Sequence, residues 1–161
     1  MDWITKFNIV HSGLGLIHTI LAILAMVFGS IVLLKPKGTI FHKRLGYLYF
    51  WSMVFMNGTA FGIYNFGGFS LFHGFAIFSL VTLFAGIYPV LKKSKGWFYR
   101  HYYFMSWSVV GLYCAFWSEV GTRMLNMAYF WWAVMLASLL TALIGGLIIH
   151  TKAKKLSIKS S

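Results

Sequence analysis

Apolar residues along this chain come in long blocks, not in alternation. Five blocks can be read, at about residues 8–34, 45–65, 69–91, 101–124 and 129–150. A run of ~20 apolar residues is long enough to cross the hydrocarbon core of a bilayer as a helix. The pattern therefore predicts an all-α fold: a polytopic transmembrane helix bundle of five spans, one domain over residues 1–161. Breakers part the blocks. Pro36 and Gly38 interrupt "KPKGTIFHKR", "FGGFS" forms a tight turn, Pro89 falls near the end of the third block, and "LNMA" leads into the fifth. The basic tail "TKAKKLSIKSS" reads as frayed. The opening "MDWITK" is only weakly basic, and the apolar block behind it exceeds a signal-peptide core, so that block is expected to be retained.

Composition agrees with the pattern. Hydrophobic residues make up 60 % of the chain and charged residues 10 %, where a soluble domain carries roughly 25 % charged. Fourteen Lys and Arg stand against two acids, for a net charge of +12. On a soluble protein that excess would point to nucleic acid. Here the cations lie between the apolar blocks, so they report topology and contact with anionic headgroups instead, and no nucleic-acid partner is expected. Lys35, Lys37, Lys43, Arg44, Lys92, Lys93, Lys95, Arg100, Lys152, Lys154, Lys155 and Lys159 fall on one side of the bundle, and Lys6 and Arg123 on the other. The first side is then cytoplasmic, the N-terminus outside and the C-terminus inside, as an odd number of spans requires. The lone cysteine, Cys114, reads as a small packing residue. The aromatic clusters "FWW" and "GWFYRHYYF" read as interfacial belts, with quinone contact as the sharper alternative.

Ionisable residues within a membrane are costly and normally face the bundle interior. Their depth follows from a rise of 1.5 Å per helical residue. His18 lies sixteen residues from Leu34, roughly 24 Å above the inner edge. His73 and Glu119 lie eighteen residues from Leu91 and His101, about 27 Å each. His42 and His101 fall at the inner edge, His11 near the outer surface and His150 at the inner end of the last span. The faces are ordered too. His11, Gly15, His18, Ala22, Ala25 and Gly29 share one helical stripe. His42, Gly46, Tyr49, Met53, Asn57, Ala60 and Tyr64 share a second, and His101, Ser108, Ala115 and Glu119 a third. The small residues "GTAFG" (58–62) permit close helix approach.

Histidines at two levels on alternating helices suit two haem b groups, each needing two axial imidazoles. His18 and His73 would hold an outer haem, His42 and His101 an inner one. Lys43, Arg44 and Arg100 would pair with the inner propionates, while Glu119 and Arg123 would tune the outer site or its proton coupling. This layout resembles the cytochrome b561 superfamily: "HKRLG" looks like its "HxxxG" helix start, and "RHYYFMSWSVVGLY" is similar to another of its segments. The leading reading is thus transmembrane electron transfer, for which a quinone or a redox protein would be the partner. The segments "IHTILAILAMVFGSIVLLKPKGTIFHKRLGYLY", "FHGFAIFSLVTLFAG" and "HYYFMSWSVVGLYCAFWSEVGTR" resemble more closely a family of uncharacterised bacterial membrane proteins, domain of unknown function 2306. It implies a multi-pass protein of the bacterial inner membrane and names no activity.

Two other readings stand beside haem. His18, His73 and Glu119, with His11 as a further ligand, form a donor set for non-haem iron, zinc or manganese, in a metalloprotein or a transporter. Against it, Arg123 stands four residues beyond Glu119 and would partly neutralise it. The third reading is an accessory subunit without cofactor, its polar stripes hydrogen-bonding between helices. No hydrolase triad or phosphate-binding loop is present in the sequence.

Overall fold

The computed structural model describes residues 13–63, 68–124 and 127–158, with the side chains of 71, 122–124, 127–128, 130 and 155–158 outside the description. His11 and Tyr64, and the side chain of Arg123, therefore lie outside the described parts. The described residues form five α-helices and no strand: α1 (Gly13–Leu34), α2 (Ile40–Ala60), α3 (Leu71–Lys92), α4 (Trp97–Met124) and α5 (Met127–Ile158). Three of them are long and apolar enough to cross a membrane: α1, α3 over Phe72–Lys92, and α5 over Trp131–Lys154. The other two are more polar. α2 carries Lys43, Arg44, Ser52 and Asn57, and α4 carries Arg100, His101, Glu119 and three buried serines.

The helix ends differ from the sequence expectation where local hydrogen bonding outweighs composition. α2 begins at Ile40, inside the basic connector, because the Thr39 hydroxyl accepts the His42 N–H at 3.1 Å and caps the helix. At the other side of this connector, Lys37 donates its ammonium to the Val32 and Leu33 carbonyls at 2.6 and 3.1 Å, closing the end of α1. Gly38, at φ +81°, turns the chain between the two. α5 runs on through "TKAKKLSI", where fraying was expected. Ala and Lys favour helix, and cations suit a helix C-terminus. The Thr151 hydroxyl also bonds back to Leu147 O and Ile148 O.

The chain divides into two compact units, 1–80 and 81–161, and the boundary falls within α3. In the first unit α1 meets α2. Ala25 and Gly29 are the buried residues of α1, and both belong to the stripe read from the sequence. On α2, Tyr49, Met53 and Asn57 of the second stripe are buried, at 1 %, 0 % and 3 % exposure. The Asn57 amide is satisfied by Met53 O at 2.8 Å and by the Ser79 hydroxyl at 3.2 Å. In the second unit α4 lies against α5 around Tyr102, Val110, Ile149 and Ala153. The Tyr102 hydroxyl donates to Ile149 O at 2.9 Å and the Cys114 thiol to Ser138 O at 3.6 Å. Here the third stripe holds only in part. Ser108 is buried, His101 and Glu119 are half-buried, and Ala115 is exposed. Steric fit sets the helix spacing: a Cβ on Gly145 would meet Val110 Cγ2 at 2.5 Å, and one on Gly86 would meet Met105 Sδ at 2.7 Å and its backbone N at 3.2 Å.

Candidate functional site

His18 lies in the first unit, half-buried on the inward stripe of α1. Its Nδ1 stands 3.0 Å from Met56 O and 3.1 Å from Thr59 Oγ1. A carbonyl oxygen can only accept, so Nδ1 carries the proton. Thr59 agrees, because its own hydroxyl donates to Met56 O at 2.7 Å and is left to accept from the ring. Both contacts belong to the last turns of α2. The neutral ring then has its lone pair on Nε2.

His101 repeats this arrangement in the second unit. Its Nδ1 donates to Gly86 O at 3.0 Å, which again places the lone pair on Nε2. Gly86 makes that approach possible. With no side chain it lets α4 come within contact of α3, and the imidazole reaches the backbone. Pro89 lies one turn further on and has no N–H to donate to the carbonyl four residues before it, yet α3 continues through it to Lys92.

His73 is held in the opposite state. It is 2 % exposed and sits three residues after Ser70, at the start of α3. Its Nδ1 accepts the Ser70 N–H at 3.0 Å, with the Ser70 hydroxyl 2.9 Å from the same nitrogen, while the His73 backbone N–H donates to Ser70 O at 3.0 Å. This is the part that Glu or Gln takes in a capping box. A neutral ring accepting at Nδ1 has its proton on Nε2. Phe69 stacks on the ring at 5.0 Å and Phe61 lies at 6.1 Å. Depth alone does not distinguish this histidine from His18, but the Ser-x-x-His spacing at Ser70 marks it as a cap.

His42 is half-buried in the first turn of α2, with Lys43 and Arg44 exposed beside it. Arg100 is exposed in the first turn of α4. Glu119 is half-buried towards the end of the same helix. The first unit thus contains His18, His42 and His73, and the second His101 and Glu119. Among the described residues, no three His, Cys, Asp or Glu side chains gather closely enough to hold a metal ion.

The family model described as "Predicted membrane protein (DUF2306)" matches residues 15–152, which covers all four of these histidines. No curated protein and no solved structure matches the chain.

Proposed function

The chain belongs to this family of predicted membrane proteins, and from that premise we propose that it carries electrons across a membrane through b-type haem. In this reading all five helices span a bacterial inner membrane, with the N-terminus outside and the cation-rich connectors on the cytoplasmic side. The observation that carries the reading is the common state of His18 and His101. Each donates Nδ1–H to a backbone carbonyl, at 3.0 Å in both cases. Ligating histidines characteristically make this bond, which fixes the tautomer, orients the ring and raises the basicity of Nε2. A bound haem would supply a one-electron carrier. His18 would hold the outer group and His101 the inner. Arg100, next to His101 in the sequence, is the cation suited to a propionate of the inner group.

His73 fits less well as the second outer ligand, since its Nδ1 is engaged as an acceptor. Ligation through Nε2 would require the helix cap to be given up. Iron or zinc on His18, His73 and Glu119 gains no support, because no three such donors gather among the described residues. A quinone or a redox protein would exchange electrons at either face.

The test is the absorption spectrum of protein purified from haem-replete cells, oxidised and reduced. A Soret band with a b-type α-band is expected. His18→Ala and His101→Ala should each remove about half of the haem if two groups are bound. Colourless wild-type protein, or full haem in both variants, overturns the assignment.

A further inference from the structure

The connector between α1 and α2 has chemistry that the haem reading does not use. It leaves the end of a helix apolar enough to span a membrane, so it lies at the boundary between hydrocarbon and water. Between residues 34 and 44 it carries Lys35, Lys37, Lys43 and Arg44. Lys37 is engaged on the α1 carbonyls. The other three cations are exposed. They alternate with exposed apolar residues: Leu34 at 75 %, Ile40 at 72 % and Phe41 at 53 % exposure. A solvated loop has no reason to present such side chains, whereas a headgroup layer accommodates both kinds.

The register of α2 sharpens this. Ile40, Arg44, Tyr47, Leu48, Trp51 and Phe55 recur at intervals of three or four residues, so they share one helical face, and all six are exposed. Apart from Arg44 this face is wholly apolar and aromatic, the character of a surface that meets lipid tails. Arg44 is therefore a cation at the upper end of a lipid-facing stripe. Its stem can lie along the apolar face while the guanidinium reaches up to the phosphate level. Lys43 follows the same helix start, and Lys35 stands at the opposite end of the connector.

We propose that Lys35, Lys43 and Arg44 form a binding surface for the phosphate headgroup of an anionic phospholipid, whose tails lie along the Tyr47–Leu48–Trp51–Phe55 face of α2. The guanidinium engages two phosphate oxygens at once, the two ammonium groups add charge, and Lys37 serves the fold instead of the lipid. This assignment is independent of haem, and it gives Lys43 and Arg44 a partner other than propionates.

The test uses the full chain in phosphatidylcholine vesicles containing trace spin-labelled phosphatidylglycerol or spin-labelled phosphatidylcholine. Wild-type protein should immobilise the anionic label in preference to the zwitterionic one. Arg44→Gln should lower that preference by about fivefold, Arg44→Lys by less, and the triple change of Lys35, Lys43 and Arg44 to Gln should abolish it. Lys95→Gln, at another connector, should leave the preference intact. Helical circular dichroism of each variant confirms that it is folded. Equal immobilisation of both labels by wild type, or unchanged preference in the folded triple variant, overturns the proposal. Loss of the preference on adding glycerol phosphate would also overturn it, since the site would then take free phosphate and not lipid.

Discussion

A neutral imidazole has one N–H, and its position decides what the second nitrogen can do. His18 and His101 place it on Nδ1 against carbonyl oxygens, and His73 places it on Nε2. Long-range proton–nitrogen correlation spectra of histidine-labelled protein should show the rings of His18 and His101 protonated at Nδ1 and that of His73 at Nε2. A ring at position 18 protonated at Nε2 would contradict the Met56 contact. Thr59→Val removes one of the two acceptors around His18 Nδ1 but leaves Met56 O in place. The tautomer should persist, and thermal unfolding in detergent should report a loss of about 1 kcal/mol. For His73 the capping role gives a different expectation. His73→Leu should cost about 1 kcal/mol, and His73→Gln should recover most of that, because Gln at this position can still accept the Ser70 N–H. Equal losses in the two variants would argue against a cap.

Each helix is delimited by local chemistry and then placed by small residues. Thr39 starts α2 and Lys37 ends α1, so five residues turn the chain through a sharp reversal around Gly38. Thr39→Ala should lower stability by about 1 kcal/mol by leaving the His42 N–H without its cap. Gly86 has a larger burden. An added methyl meets the Met105 side chain, which can bend away, and also the Met105 backbone nitrogen, which cannot move without its helix. Gly86→Ala should therefore cost about 1–3 kcal/mol and loosen the His101–Gly86 hydrogen bond, visible as a shift of the His101 ring resonances. A substitution tolerated without either effect would mean that α4 is not held at this distance.

For the molecule as a whole, the distribution of Lys and Arg is the largest signal, and the orientation it implies is directly measurable. With Cys114→Ser as background, Ser94→Cys and Gly68→Cys place single thiols in connectors at opposite ends of α3. In intact cells a membrane-impermeant maleimide should label position 68 and spare position 94 until the membrane is broken. The reverse pattern would invert the bundle, and labelling of both would show that α3 does not cross. The exposed surface fits a lipid setting: Leu139, Leu143 and Leu147 of α5 and Val81, Phe84 and Tyr88 of α3 all lie outward. In lipid such residues need no protein partner, and small polar residues such as Ser52, Ser106, Ser108 and Ser118 can take buried positions between helices.

Block length and composition by themselves determined that the chain is helical and membrane-associated, because these properties follow from counts of apolar residues along a helix axis. Periodicity also identified the inward faces of α1 and α2, where Ala25, Gly29, Tyr49, Met53 and Asn57 are buried. It did less well on α4, whose predicted face leaves Ala115 exposed, because several of that helix's contacts are made with α5, whose apolar residues run all round it and give no face to read. Helix ends escaped composition as well. Caps such as Thr39 and Lys37 act through single hydrogen bonds that a hydropathy pattern does not register. The decisive case is the histidines. His18, His73 and His101 are the same residue type in similar apolar surroundings, and depth alone made His18 and His73 a pair. Only the tertiary structure brought Met56 O and Gly86 O to two of them, while the third takes the Ser70 N–H through a local cap. The partner across the contact places the proton, and that partner is remote in sequence for His18, by 38 residues, yet only three residues away for His73.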